Sequence, residues 1–272
     1  MHQEKRGREF YILAFFFVLF VLFLYGPLSA ILILAFQGPN GGLTFPLNGV
    51  SLHWFGNLFE QQAVGDFGGS FRRSFGLGLM VMTVTVFVSL LAGLAFRRKF
   101  IGATPLFYLS VASLVVPSII ISLGIGVLFQ QLGLEPSWYT SAFGAHLTWT
   151  LPFGVLIMLA VFNRFSPSYE EAARDLGASS WQTFAHVVLP MIAPSLIGVG
   201  LFGFTLSYDE FARTLMTSGT YNTLPLEIYG MTTNVTTPVL YALGAVTTLF
   251  SLLVIAATLG LIVTLNRRHS RG

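Results

Sequence analysis

Residues 10–36 read FYILAFFFVLFVLFLYGPLSAILILAF, an apolar run broken only by one Gly-Pro pair and one serine. A helix needs about 20 apolar residues to cross the hydrocarbon core of a bilayer. Basic residues precede the run, as in a signal peptide, but the apolar region of a signal peptide spans only about 7–15 residues. We therefore interpret residues 10–36 as a first membrane span that is retained in the protein.

The composition of the 272-residue chain indicates lipid as its solvent. The chain is 54% hydrophobic and 9% charged, whereas soluble domains carry about 25% charged residues. Cysteine is absent, which excludes disulfides and thiolate metal ligands. The net charge of +3 gives no basic face for nucleic acid, and we expect neither a metal site nor a nucleic-acid partner.

Six apolar stretches are long enough to cross a membrane. They lie at about 10–36, 74–96, 104–130, 143–163, 187–207 and 238–265. The fifth is the weakest, because Pro190 and Pro194 lie in its first turns. The sequence predicts an all-α membrane protein in which residues 1–272 form a single domain of six transmembrane helices.

The basic residues predict the orientation of these spans. Of the 14 Lys and Arg residues, three fall on the side opposite the termini: Arg72, Arg73 and Arg213. The other 11 (14 − 3) fall on the terminal side: Lys5, Arg6, Arg8, Arg97, Arg98, Lys99, Arg164, Arg174, Arg267, Arg268 and Arg271. Because cytoplasmic loops carry an excess of Lys and Arg, we expect both termini to be cytoplasmic.

The cytoplasmic loop at 164–186 has the pattern of an ordered element. Gly177 stands where a helix C-terminal residue of left-handed conformation would lie. Capping-box spacing occurs twice, at Ser168 with Glu171 and at Ser179 with Gln182. The pattern predicts two short helices joined by a turn at Gly177. Such helices are marginal alone, so we expect a partner surface to hold them.

Small side chains in this loop would let a partner backbone approach closely: Ala172, Ala173, Gly177 and Ala178. The alternative is that Glu171 only caps a helix and that the alanines only favour one. Spacing alone does not separate these two interpretations.

The loop resembles the signature loop of ABC-importer permeases. The resemblance rests on Glu171-Ala172-Ala173, then Gly177 after three intervening residues, then Val187-x-Leu189-Pro190 after nine more. Family members usually have Ile where this chain has Val187. The resemblance implies the type I ABC importer permease fold and a coupling helix that docks into a groove of the ATPase. The ATPase-coupling positions it implies are Glu171, Ala172, Ala173, Gly177, Ala178, Leu189 and Pro190.

Other stretches extend the resemblance. Residues 145–153 (AHLTWTLPF) look like the start of the fourth span in the same family. Residues 204–211 (FTLSYDEF) and 222–229 (NTLPLEIY) are similar to the subgroup that imports spermidine and putrescine. The cargo implied is therefore a polyamine. Related subgroups leave opines, small amino acids such as GABA, phosphonates, ferric iron and thiamine as alternatives.

The resemblance also implies partners. The chain contains no GxxxxGK[ST] phosphate loop, so we expect no cofactor in it and no enzymatic activity of its own. ATP and Mg²⁺ would be bound by a partner ATPase present in two copies. A second permease of different sequence, an extracytoplasmic solute-binding protein and membrane lipid complete the expected surroundings, in the inner membrane of a bacterial cell.

Residues at the end of the fifth span are candidates for the substrate pathway. Asp209 and Glu210 follow this span directly, and ionisable residues at membrane depth are costly and usually functional. They would attract ammonium groups, and Tyr208 would add a cation–π contact. The alternative is that Asp209 or Glu210 pairs with Arg213.

Two weaker pathway candidates lie in the fourth span. His146 and Trp149 are three residues apart and therefore share a helix face. His146 would hydrogen-bond across the bundle; the alternative is a packing role.

Two other classes of protein compete with an ATP-driven permease. An ion-driven secondary transporter often carries inverted repeats and broken helices, but we find no repeat and no acidic residue near a span centre. An intramembrane enzyme would need a nucleophile motif such as GxSxG, which the sequence lacks.

Overall fold

The computed structural model describes residues 7–60, 65–234 and 237–269. These residues form helices and no β-strand, in two compact units. One unit holds the residues up to Gly65 together with Gly230–Phe250, and the other holds Asp66–Tyr229 and the residues from Ser251 onwards. The helices are α1 (Arg8–Leu34), α2 (His53–Gly56), α3 (Phe67–Phe96), α4 (Ala103–Ala112), α5 (Ser118–Gln131), α6 (Ser141–Arg164), α7 (Ser168–Asp175), α8 (Ser180–Thr183), α9 (Leu189–Tyr208), α10 (Leu224–Asn234) and α11 (Val239–His269).

Five of the six predicted spans are confirmed as single helices. The long apolar helices are Arg8–Leu34, Phe67–Phe96, Ser141–Arg164, Ser180–Tyr208 and Val239–Thr264. Helix α3 begins at Phe67 instead of the predicted 74, because the Asp66 side chain caps it. The Gly69 amide donates to Asp66 Oδ1 over 2.9 Å, which satisfies one of the free amides of the first turn.

The prediction of one continuous helix over 104–130 is wrong. The stretch forms α4 of 10 residues and α5 of 14 residues, and neither is long enough to cross a bilayer alone. Pro117 is the N-cap of α5, with a ψ of 133°. A proline disfavours helical backbone in the residue before it, which explains why the helix ends ahead of Pro117.

The weak fifth span is longer than predicted. It runs without interruption from Ser180 to Tyr208 and includes both prolines. A π-helix over Phe184–Val188 precedes Pro190. A proline removes a backbone hydrogen bond and clashes with the carbonyl four residues earlier, and widening the preceding turn accommodates it. The second short helix predicted for the loop therefore runs directly into this span.

In the first unit, α1 exposes nearly all of its side chains. Leu34 is its only buried residue, and a bare apolar helix fits contact with lipid. The segment after it is ordered by Gln37, which is fully buried. The Gln37 Oε1 atom accepts from the Asn48 amide over 2.6 Å. The Tyr241 hydroxyl donates to the Leu43 carbonyl over 2.6 Å, which ties α11 to this segment.

In the second unit, α3, α6 and α9 pack closely together. Buried apolar side chains of α6 and of the continuous helix that includes α9 form a core, against which half-buried side chains of α3 pack: Met158, Phe162, Val188, Ile192, Leu196 and Val199, with Val86, Leu90 and Leu94 from α3. Small residues allow the close approach, because a Cβ added at Gly154 would lie 2.1 Å from the Ser89 hydroxyl oxygen. This closely packed three-helix group holds both regions described next.

Candidate functional site

The loop over residues 164–186, called the coupling segment below, contains the two predicted helices and the predicted turn between them. Helices α7 and α8 are joined by a turn at Gly177, whose φ is +86°. The Gly177 amide donates to the Arg174 carbonyl over 2.8 Å, and the Ala178 amide donates to the Ala173 carbonyl over 3.0 Å. These bonds close the end of α7, and the positive φ explains why a glycine stands there.

One of the two predicted capping boxes is present. Ser179 accepts from the Gln182 amide over 3.3 Å, and the Gln182 side chain accepts from the Ser179 amide over 2.8 Å. The box predicted at Ser168 is wrong. Helix α7 begins at Ser168 itself with Pro167 as the N-cap, and the Ser168 amide donates to the Ser166 hydroxyl over 3.4 Å.

Most residues of the coupling segment are exposed. Glu171, Ala172 and Gly177 are exposed, and Ala173 and Ala178 are half-buried. Three large hydrophobic side chains are also exposed: Leu176 at 90%, Trp181 at 71% and Tyr169 at 52%.

The last two positions of the signature lie apart from that surface. Leu189 and Pro190 are half-buried in the first turn of α9. Leu189 packs against the buried core that includes Met158 and Ile192. These residues therefore anchor the coupling segment in the helix bundle and do not belong to its exposed face.

An ion pair fixes the coupling segment to the helices beside it. Arg97, next to the end of α3, donates from Nη1 to Glu170 Oε1 over 2.6 Å. Its guanidinium also lies 5.2 Å from the ring centroid of Phe162 and 5.5 Å from that of Phe165. A displacement of α7 would therefore be transmitted to α3 and α6. The sequence did not predict this ion pair, called the Arg97 bracket below, because the two charges are 73 residues apart.

A second polar region, called the arginine network below, surrounds Arg213 in the chain after α9. The Arg213 side chain is only 2% exposed. It donates from Nη1 to the Ser118 hydroxyl over 2.5 Å and from Nε to the Thr148 hydroxyl over 3.2 Å. Its guanidinium carbon lies 4.6 Å from the Trp149 ring centroid, a cation–π contact.

Glu210 completes the pairing of this buried arginine. Glu210 Oε1 accepts from the Arg213 amide over 2.8 Å and lies 3.9 Å from Arg213 Nη1. A pair between a carboxylate and Arg213 was the structural alternative that the sequence left open, and Glu210 forms this pair. A buried charge is tolerated when it is paired and hydrogen-bonded, as it is here.

His146 is fully buried and bonded on both ring nitrogens. Its Nδ1 lies 2.8 Å from the Ser207 hydroxyl, and its Nε2 lies 3.0 Å from the Thr214 hydroxyl. Because these bonds join α6, α9 and the chain after α9, His146 does hydrogen-bond across the bundle. Both nitrogens are occupied, which leaves neither free for a solute.

The other three pathway candidates occupy different surroundings. Asp209 is exposed. Tyr208 is buried and stacks on Phe204, with ring centroids 5.8 Å apart. Trp149 is half-buried beneath Arg213, and its indole nitrogen has no hydrogen-bond partner among the described residues. The structure thus brings His146, Trp149 and Glu210 together around Arg213 and leaves Asp209 outside the network.

The arginine network also supports the broken third span. The Ser122 hydroxyl in α5 donates to the Arg213 carbonyl over 2.9 Å, and the Met216 amide donates to Ser122 over 3.0 Å. The Ser113 hydroxyl, at the end of α4, donates to the Thr148 carbonyl over 2.5 Å. These bonds tie the two short helices of the third span to α6 and to the chain after α9.

One feature of the sequence does indicate a special role for Arg213. Arg213 is the only Lys or Arg between Arg174 and Arg267. A lone cation in so apolar a stretch is a functional or structural centre by default. For metal binding the structure gives no support: no group of three His, Cys, Asp or Glu side chains lies together among the described residues.

Comparison with known proteins gives both a family and relatives. Residues 85–271 match the model of the family described as "Binding-protein-dependent transport system inner membrane component". The chain is 26% identical over 258 residues to the spermidine/putrescine transport system permease protein PotC of Haemophilus influenzae, covering 94% of this chain and 97% of that protein. It is 28% identical over 219 residues to the putrescine transport system permease protein PotI of Escherichia coli strain K12, covering 76% of this chain and 75% of that protein.

The fold matches a solved transporter. One chain of the bacterial alginate ABC transporter, crystallised with an alginate pentasaccharide-bound periplasmic protein, superposes with a TM-score of 0.64. The likeness covers 96% of this chain and 93% of that chain at 14% identity. The predicted fold class, a type I ABC importer permease, is confirmed, with its third span broken. The family match covers more than half of the residues, so the chain belongs to the inner-membrane components of binding-protein-dependent transport systems and is a permease subunit of an ABC importer rather than an enzyme.

Proposed function

We propose that the coupling segment docks onto a separate ABC ATPase and passes its motion to the spans. The observation that carries this proposal is a capped two-helix projection that exposes Leu176 and Trp181 and is bracketed to the bundle by Arg97. ATP and Mg²⁺ would be bound by the ATPase, present in two copies. A change of state in that motor can move this chain only if the docked motor favours one arrangement of the helices.

The remaining partners follow from the same proposal. The whole chain acts as one permease domain and forms half of a pore with a second permease of different sequence. Its termini and coupling segment face the cytoplasm, where the excess of Arg and Lys predicts them. An extracytoplasmic binding protein delivers the solute, as the periplasmic protein bound to the alginate transporter supports.

We further propose that the cargo is a polyamine. The names of the two relatives support this choice. Within the chain, Asp209 is the acidic candidate that supports it, because its carboxylate is exposed directly after α9 while Glu210 is held by Arg213. Charge pairing with an ammonium group needs an accessible carboxylate, which Asp209 offers. His146 and Glu210 then act on the pathway by holding its wall.

Replacing Gly177 tests the coupling proposal. Gly177→Asp forces an L-residue with a side chain into the left-handed turn and places a charge on the docking face. We expect ATP-driven uptake in proteoliposomes of the full complex to fall at least about tenfold, since 1.4 kcal/mol changes an equilibrium tenfold.

The matched control is Gly133→Asp. Gly133 also has a positive φ, of 68°, and open space around it, but it lies in the loop after α5. Its uptake should stay near the wild-type rate. Normal uptake by the Gly177 variant with the ATPase still bound would contradict the coupling proposal, and uptake that continues without ATP would contradict the whole mechanism.

Replacing Asp209 tests the cargo proposal. Asp209→Asn should raise the spermidine concentration needed for half-maximal uptake by about fivefold, the effect of roughly 1 kcal/mol in an exposed ion pair. Glu135→Gln, which removes an exposed carboxylate from the loop after α5, is the control. Equal uptake by both variants would show that Asp209 does not select the cargo. Uptake of an opine, an amino acid or phosphonate in preference to spermidine would replace the polyamine altogether.

A further inference from the structure

A cavity of about 600 Å³ lies between the end of α3 and the coupling segment. Its charged lining consists of Arg97, Arg98 and Arg174 with one carboxylate, Glu170. Three cations against one anion leave the lining with a formal charge of +2 (3 − 1). The bracket described above is part of this wall, but it uses only a fraction of the positive charge.

The ion pairs within the lining leave Arg98 available. The Glu170 carboxylate pairs with the Arg97 guanidinium at an N···O distance of 2.6 Å and lies 3.9 Å from the Arg174 guanidinium. The Arg98 side chain makes no ion pair or hydrogen bond with any residue that the structure describes. Guanidinium groups prefer phosphate and carboxylate oxygens as partners, because their planar N–H groups match these anions.

A second observation points to a ligand in the same cavity. Thr183 lines the cavity and is only 2% exposed. Its hydroxyl has no hydrogen-bond partner among the described residues. Because a buried hydroxyl without a partner is costly, each such group in a native protein calls for an explanation. An anionic oxygen in the cavity would accept this hydrogen bond.

We propose that this cavity binds a phosphate group, through the Arg98 guanidinium and the Thr183 hydroxyl. The lining also includes apolar side chains from the spans, Leu94 and Val188. A basic pocket at the ends of transmembrane helices suits the headgroup of an anionic phospholipid. A soluble phosphate offers the same oxygens, and the experiment separates these two sources. This proposal does not depend on the cargo or on the ATPase.

The test measures phosphate and lipid binding by the purified full-length chain. In one arm, the chain is placed in nanodiscs of phosphatidylcholine with about one-fifth phosphatidylglycerol, and native mass spectrometry counts the retained anionic lipids. In the other arm, the nanodiscs contain phosphatidylcholine alone, and equilibrium dialysis with labelled inorganic phosphate measures binding.

Arg98→Gln and Thr183→Val should each lower binding about fivefold, the effect of one surface charge or one hydrogen bond. Thr183→Ser, which keeps the hydroxyl, should bind like the wild type. Arg164→Gln is the matched control, since Arg164 is an exposed arginine at the end of α6 that does not line this cavity.

The outcomes distinguish a lipid headgroup from a soluble phosphate. Loss of retained phosphatidylglycerol in the Arg98 and Thr183 variants assigns the site to a lipid headgroup, and loss of inorganic phosphate binding assigns it to a soluble phosphate. The proposal is overturned if neither ligand binds, if Thr183→Ser binds as weakly as Thr183→Val, or if Arg164→Gln lowers binding as much as Arg98→Gln. Monodisperse elution of every variant verifies that each one is folded.

Discussion

The coupling segment and the arginine network use polar residues in opposite ways. The coupling segment exposes its helices and holds its shape with one capping box, one glycine turn and the Arg97 bracket. The arginine network buries a full positive charge and surrounds Arg213 with partners from several helices. The first leaves most of its side chains exposed, while the second uses its polar groups to hold the membrane helices together.

The difference teaches where each type of substitution should act. In the arginine network, a lost partner leaves a buried charge without compensation, so stability should suffer first. In the coupling segment, most side chains are exposed, so stability should change little while partner binding changes. The predictions that follow run from the largest expected effect to the smallest.

The largest effect is expected at the hub of the arginine network. Arg213→Met removes the cation and leaves Glu210 and two hydroxyl groups without it. We expect a loss of about 3–5 kcal/mol, the usual result of breaking a buried ion pair. Thermal unfolding of the purified chain in detergent measures it. Asp209→Asn, four residues away but exposed, is the control and should shift the midpoint little; equal shifts would show that the network does not carry this stability.

A smaller effect is expected at the capping box. Ser179→Ala removes the side chain that accepts from the Gln182 amide, which typically costs about 1 kcal/mol. Faster hydrogen exchange of the amides in α8, with little change in α9, is the expected measurement. Ser168→Ala is the matched control, because Ser168 makes no capping bond. If both variants exchange alike, the box at Ser179 does not order the segment.

The smallest effect is expected at the Arg97 bracket. Its side chains are 24% and 15% exposed, so water screens part of the attraction. A double-mutant cycle with Arg97→Gln and Glu170→Gln should give a coupling energy of about 0.5–1 kcal/mol in unfolding. Transport by the complex should fall by more than this energy implies, since the bracket ties α7 to α3. A coupling energy of zero together with normal transport would contradict its role.

Hydropathy predicted most of the architecture, and the reason is physical. Lipid requires about 20 apolar residues in each span. Each of five spans can therefore be recognised from its own stretch of sequence, as in residues 10–36. The turn at Gly177 and the cap at Ser179 are equally local and were predicted from a few residues. The role of the coupling segment stays a prediction, and Leu189 and Pro190 are half-buried in the first turn of α9 instead of being exposed.

The features that the sequence did not reveal depend on contacts between distant residues. Near the break before Pro117, the Ser113 hydroxyl meets the Thr148 carbonyl of α6, 35 residues away in the chain. The hub at Arg213 depends on Ser118, 95 residues away in the chain. Composition and spacing do not show which distant helices meet, so neither partner could be predicted.

The central claim is that the coupling segment is the surface to which the ATPase binds. The chain has no native cysteine, so one introduced thiol gives a single labelling site. In Ala172→Cys, which places the thiol on the exposed face, a short bifunctional crosslinker should join this chain to the ATPase in the assembled complex. Glu135→Cys, in the loop after α5, should give no such product. Crosslinking to the ATPase at Glu135, or none at Ala172 in a complex that still hydrolyses ATP and transports, would contradict the claim.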